Sequence, residues 1–105
     1  VGAVDMITDN SLQEICDNVT NFGGVSGRCE VVSSNPYIII DFAHTPDGMK
    51  NIFESFNQKD IIVVFGAGGD RDKSKRALMG KIASSYAKKI FITSDNPRFE
   101  DPDII

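Results

Sequence analysis

The sequence predicts an α/β domain whose largely parallel sheet is flanked by helices. Three observations carry that prediction. From Tyr37 onward, apolar runs of strand length alternate with amphipathic stretches of helix length, in the order strand, helix, strand, helix, strand. That alternation implies parallel strands joined by crossovers. Polar clusters at 41–47, 66–75 and 94–98 each follow a strand, and ligands gather at the carboxyl ends of strands in such sheets.

Taken in order, residues 10–22 predict a helix. Asn10 or Ser11 can cap it, and Leu12, Ile15, Cys16, Val19 and Phe22 recur at helical spacing before Gly23-Gly24 ends it. Residues 29–33 predict a short strand and Ser34-Asn35-Pro36 a turn. Residues 37–41 are almost wholly apolar, the pattern of a strand buried on both faces. Thr45 and Pro46 then open a helix as N-cap and first residue, with Met49, Ile52, Phe53 and Phe56 as its buried stripe. Residues 61–65 predict a second buried strand, and Gly66-Ala67-Gly68-Gly69 a tight turn. A helix over 74–88 follows, its buried face formed by Leu78, Ile82 and Tyr86 beside Met79 and Ala83. A third strand over 90–93 and a loop at Pro97 complete the reading.

With 105 residues, 41% hydrophobic and 25% charged, the chain suffices for one small domain with a real core. Its apolar content excludes disorder. No apolar run approaches the roughly 20 residues of a membrane span. A net charge of −4 argues against a dedicated nucleic-acid binder. Cys16 and Cys29 stand 13 residues apart, in no metal-binding spacing, so a reduced, cytoplasmic setting is expected. The chain opens on apolar residues from Val1 and ends on Ile104-Ile105, which predicts a piece of something longer. The one domain boundary the sequence suggests lies at 23–27.

Charge is unevenly distributed. Residues 1–65 hold nine acids and three bases, whereas residues 71–89 hold seven of the eleven bases and a single acid, Asp72. A basic surface on an acidic protein suits a small anionic ligand, although Lys81, Lys88 and Lys89 also fit a solvated helix face.

The glycine-rich turn fails the phosphate-loop pattern, because its glycines would fall at Ala67 and Asp72. The dinucleotide pattern keeps Gly66 and Gly68 but meets Arg71 where the third glycine belongs. What remains is a turn that presents Arg71, either as a bidentate anion clamp or as a surface partner of Asp70 or Asp72. His44, the only histidine, precedes a helix N-terminus and can contact a nucleotide or assist the cap. Asp41 can bind a ribose or satisfy loop N–H groups. Asp95-Asn96-Pro97-Arg98 suits a zwitterion, since the guanidinium takes a carboxylate and the acid or amide an ammonium; a plain strand-to-helix turn is the alternative. No nucleophile arrangement and no metal cluster is legible.

Together the motifs Gly27-Arg28-x-Glu30, Asp41-Phe42-Ala43-His44-Thr45-Pro46-Asp47, Phe65-Gly66-x-Gly68-Gly69-Asp70-Arg71-Asp72-Lys73-x-Lys75-Arg76 and Asp95-Asn96-Pro97-Arg98 resemble the Mur ligase family over the whole chain. Phe42 stands where the family usually has Tyr, and Ala67 where it has Cys or another small residue. The resemblance implies an ATP-dependent amide-bond ligase of peptidoglycan biosynthesis. ATP phosphorylates an acyl substrate, and the amine of an incoming amino acid attacks the acyl phosphate. It implies that residues 1–24 are the terminal helix of a central ATPase domain, and that residues 25–105 begin a Rossmann-like C-terminal domain, incomplete at its C-terminus.

By position in the motifs, Arg28, Asp41 and His44 correspond to nucleotide contacts. Arg71, Asp95, Asn96, Pro97 and Arg98 correspond to the amino-acid site. The Asp-Asn-Pro-Arg version is associated with meso-diaminopimelate, whose second carboxylate needs an extra cation. No catalytic residue and no metal ligand is expected in this stretch. Magnesium and the UDP-N-acetylmuramoyl dipeptide are expected to be held by other domains, so the isolated piece is expected to be inactive. An L-lysine-adding member of the family and a stand-alone dinucleotide-binding module are the competing readings. Neither nucleic acid nor membrane is an expected partner.

Overall fold

The computed structural model describes residues 8–56 and 60–105, which fall into two compact units, Val1–Asp41 and Phe42–Ile105. The apolar opening stretch, residues 1–7, lies outside the described residues.

In the first unit, helix α1 spans Leu12–Thr20. Ser11 closes a capping box. Its hydroxyl accepts the Glu14 N–H at 3.3 Å, and the Glu14 carboxylate accepts the Ser11 N–H at 2.9 Å. Ile15 is buried, while Leu12 and Val19 of the predicted stripe stay exposed. The helix stops before Gly23-Gly24, at Asn21, and the Phe22 N–H folds back onto the Val19 carbonyl.

Strands β1 (Glu30–Ser34) and β2 (Tyr37–Ile40) form an antiparallel hairpin with Glu30 opposite Ile40 and Ser34 opposite Tyr37. This corrects the expectation that residues 37–41 begin the parallel series as a doubly buried strand. Asn35-Pro36 leaves only two residues between the strands, and so short a connection returns the chain antiparallel. Tyr37, Ile38 and Ile40 are exposed.

In the second unit, helix α2 (Pro46–Ser55) starts as the sequence predicts. The Thr45 hydroxyl accepts the Gly48 N–H at 3.1 Å, and Pro46 occupies the first turn. Strand β3 (Ile61–Phe65), helix α3 (Ser74–Tyr86) and strand β4 (Ala87–Ile92) follow, then a 3₁₀ turn at Pro102–Ile104. β3 and β4 pair in parallel, with Val63 opposite Ile90 and Phe65 opposite Ile92. This is the α/β unit the alternation predicts.

Met49 and Phe53 of α2 meet Met79 and Ala83 of α3 in the core, and Ile61, Val63, Phe65 and Ile90 of the sheet pack against them. β3 is therefore covered on one face: Ile62 and Val64 are exposed, where the sequence predicts burial on both sides. The buried face of α3 centres on Met79 and Ala83, with Ile82 and Tyr86 at its margin, while Leu78 points to solvent. Among the described residues no helix is long and apolar enough to cross a membrane.

Candidate functional site

The motif Gly27-Arg28-x-Glu30 folds into a small ring in the first unit. Glu30 Oε2 accepts the Gly27 N–H at 2.7 Å and the Ser26 hydroxyl at 2.8 Å. Gly27 has φ 70°, a left-handed conformation that glycine adopts without steric cost. These bonds hold the Glu30 carboxyl below its ordinary pKa. Arg28 is thereby presented at the surface, its N–H bonded to the Val25 carbonyl at 3.0 Å. Asp41 Oδ2 accepts the Cys29 N–H at 2.8 Å, which is the loop-satisfying role open to it from sequence. Desolvation, with the Asp41 carboxylate beside it, pushes the Cys29 thiol up.

In the second unit the exposed His44 directs Nδ1 at the Phe42 carbonyl, 3.1 Å away. A carbonyl only accepts, so Nδ1 carries the proton and Nε2 of the neutral ring is left as an acceptor. The α2 cap is supplied by Thr45, not by the imidazole. Lys75 Nζ donates to the His44 carbonyl at 3.1 Å and ties this loop to the start of α3.

The 66–76 turn and the 94–100 loop are clasped together. A Cβ on Gly66 would collide with the Thr93 carbonyl, and one on Gly69 with the Pro97 backbone. The glycines thus admit the chain's own neighbouring backbone, the close approach that a dinucleotide pyrophosphate would need. The Gly69 N–H donates to the Asn96 carbonyl at 2.8 Å, and Arg98 Nη1 donates to the Gly69 carbonyl at 2.7 Å. Asp70 Oδ2 accepts the Phe99 N–H at 3.1 Å. The predicted amino-acid residues of both segments are therefore brought together. Arg98 spends one donor on Gly69 and keeps the rest of its fork in an exposed side chain.

Arg71 forms no ion pair with either neighbouring aspartate. Asp70 is turned to Phe99, and Asp72 accepts the Ser74 N–H at 2.9 Å and the Ser74 hydroxyl at 2.6 Å. Those bonds lower the Asp72 carboxyl and give α3 its N-terminal acceptor, since Lys73 makes no side-chain cap. Asp95 alone among the predicted site residues lines a cavity of about 220 Å³, with Phe65, Arg76 and Thr93 among its walls.

Glu100, which no motif reading singled out, is the hub of the clasp. Its side chain is 12% exposed. It accepts Arg76 Nη1 at 3.1 Å and Nη2 at 2.9 Å, Lys73 Nζ at 3.0 Å and the Asp70 N–H at 2.6 Å. The Arg76 fork is foremost in pulling its carboxyl down to about 2, followed by Lys73 and the Asp70 amide. Arg76 Nη2 also reaches the Gly68 carbonyl at 3.3 Å. A signal existed in the basic 73–76 segment facing an acid just past Arg98, but the pairing spans 24 residues and no local pattern encodes it.

Comparison with known proteins places the fold in a family. The family described as "Mur ligase, glutamate ligase domain" matches residues 27–105. The chain is 59% identical over its whole length to a UDP-N-acetylmuramoyl-L-alanyl-D-glutamate--2,6-diaminopimelate ligase of Wolinella succinogenes, of which it covers 24%. It is 60% identical over 97% of its length to the protein of that name from Helicobacter hepaticus, covering 22% of it. A solved structure of a ligase of that name superposes on 90% of the chain with a TM-score of 0.68 at 38% identity, covering 20% of that chain. The chain thus spans about a quarter or less of the length of these relatives.

Proposed function

From the premise that the chain belongs to the Mur ligase family, we propose that it is part of an ATP-dependent ligase that joins meso-diaminopimelate to UDP-N-acetylmuramoyl-L-alanyl-D-glutamate. The relatives at 59% and 60% identity carry the name of that enzyme. The observation that carries the reading is the clasp. It holds Arg98 on the Gly69 carbonyl and sets the Arg71 side chain beside Gly68, with no ion pair to Arg71 among the described residues, so two arginines stand at one glycine turn. A substrate with two carboxylates and two ammonium groups needs such donors, with Asp95 and the Asn96 side chain as acceptors.

In this proposal Arg98 and Arg71 bind the carboxylates of the incoming amino acid, and Asp95 and Asn96 orient its ammonium groups. The reacting ammonium first loses a proton to solvent; the free amine then attacks the acyl carbon of a γ-glutamyl phosphate, the new C–N bond replaces the C–O bond to phosphate, and inorganic phosphate leaves as the nitrogen gives up its second proton. His44 contacts the nucleotide through the acceptor Nε2 that its Nδ1–H bond leaves, and Arg28 is assigned to the nucleotide by the motif resemblance alone. Asp41 acts through the 25–30 ring, by holding Cys29. ATP supplies the phosphoryl group.

Among the described residues no group of three or more His, Cys, Asp or Glu side chains can hold a metal ion. These residues do not fit a magnesium site, and no step here runs through one. The cytoplasm, where such nucleotide-linked substrates are made, is the proposed location, in keeping with two free cysteines.

The test is ATP-dependent amide formation between the UDP-linked dipeptide and meso-diaminopimelate, with full-length protein carrying this chain. Amide product and stoichiometric phosphate are expected from the full-length protein, and neither from residues 1–105 alone. Absence of product from the full-length protein, or product from the isolated chain, would overturn the respective part of the proposal.

A further inference from the structure

We infer that Glu100 is a positioning residue for the amino-acid site: with Arg76 and Lys73 it locks the 66–76 turn to the 94–100 loop and so fixes where Arg71 and Arg98 present their guanidinium groups. The inference rests on the proposed ligase reading and deepens it, since neither Glu100 nor Arg76 belongs to the set that contacts substrate.

The connectivity of the clasp singles out Glu100. Its two oxygens take four donors from three residues: both terminal nitrogens of Arg76, the Lys73 ammonium and the Asp70 N–H. Asp70 has φ 49° and Arg98 has φ 52°, left-handed values that cost energy for residues with a side chain. Both residues are held there by bonds across the clasp: Asp70 by Glu100 and by the Phe99 N–H, Arg98 by the Gly69 carbonyl. Arg76 joins the same carboxylate to the Gly68 carbonyl, so the hub grips the turn from both ends of Gly69. Removing the acceptor would leave a guanidinium that is only 13% exposed with no carboxylate, with one long bond to the Gly68 carbonyl, and with an Nε already buried without a partner. The turn would then shift relative to the loop and carry Arg71 with it.

The Glu100 bonds end on Arg76, Lys73 and Asp70, and none reaches His44, whose imidazole is held on the Phe42 carbonyl. The inference therefore predicts an effect on the amino acid and not on the nucleotide. A merely structural Glu100 would lower stability and the amount of active enzyme, and would leave both KM values unchanged.

The experiment is steady-state kinetics on full-length protein carrying Glu100→Ala, with Glu100→Gln as the variant that keeps size and one acceptor if Ala does not fold. The KM for meso-diaminopimelate should rise at least about ten-fold in Glu100→Ala, because small displacements of positioning groups cost that much or more. The KM for ATP should stay within about two-fold, and Glu100→Gln should fall between wild type and Ala for the amino acid. Equal changes in the two KM values, or a loss of kcat alone, would overturn the positioning role while leaving the ligase reading intact. A wild-type protein that does not use meso-diaminopimelate would overturn both.

Discussion

The ring at 25–30 and the clasp around Glu100 solve one problem at different ranges. In each, a carboxylate that accepts a backbone N–H braces a turn bearing an exposed arginine. In the ring the bonds span three or four residues, from Gly27 and Ser26 to Glu30. In the clasp they span 24 to 30 residues, from Arg76 and Asp70 to Glu100. A local device depends on its own few residues. A long-range device depends on strands β3 and β4 lying in parallel register, because only that pairing sets residues 66–70 beside 94–100.

The largest way to break the clasp is Gly69→Ala. Its Cβ would meet the Pro97 carbonyl, which is backbone and cannot rotate away. We expect about 3 kcal/mol or more of lost stability, read by denaturant unfolding, with loss of amino-acid use even where the protein folds. Next comes Arg98→Ala in the full-length protein. It should cost about 2–4 kcal/mol of preference for a substrate with a second carboxylate, read as the ratio of kcat/KM values. Stability measured in parallel separates the lost fork from the lost Gly69 bond.

Ser11→Ala tests the local side of the comparison. It removes the capping box of α1 and should cost about 1 kcal/mol, seen as a lower unfolding midpoint with amino-acid selectivity unchanged.

Mild acid is expected to have the smallest effect. The Glu100 carboxyl is depressed to about 2, so its stabilisation is complete above the ordinary 4.5 and disappears as pH falls through about 2. Glu30 is lowered too, by the Gly27 amide and the Ser26 hydroxyl, and its contribution likewise fades only below its ordinary range. Following the Asp70 and Gly27 amide signals by NMR during acidification should show both intact at pH 5, with the Asp70 signal moving at about pH 2. An Asp70 midpoint near 4.5 would mean that the clasp is open in solution.

The same contrast explains what was legible in the sequence. Thr45-Pro46 and the Ser11 cap are short-range patterns that the sequence names, and each forms; the Glu14 half of the capping box and the Glu30 ring are equally local but went unread. The parallel β3–α3–β4 unit was legible because its alternation of apolar periods is also local. Residues 37–41 misled, since an unbroken apolar run reads the same whether the strand is covered or exposed; the two-residue turn before it was the better guide. At the site, Arg98 and Arg71 could be named from their motifs. What holds them could not, because the Glu100 pairing with Arg76 follows from three-dimensional register and carries no signature in either segment.

The central claim is that the two arginines on the clasp select an amino acid with a second carboxylate. The most direct measurement compares kcat/KM for meso-diaminopimelate and L-lysine in the full-length protein carrying this chain. A clear preference for meso-diaminopimelate, reduced by Arg98→Ala, is the predicted result. Equal or better use of L-lysine by the unaltered protein would contradict it.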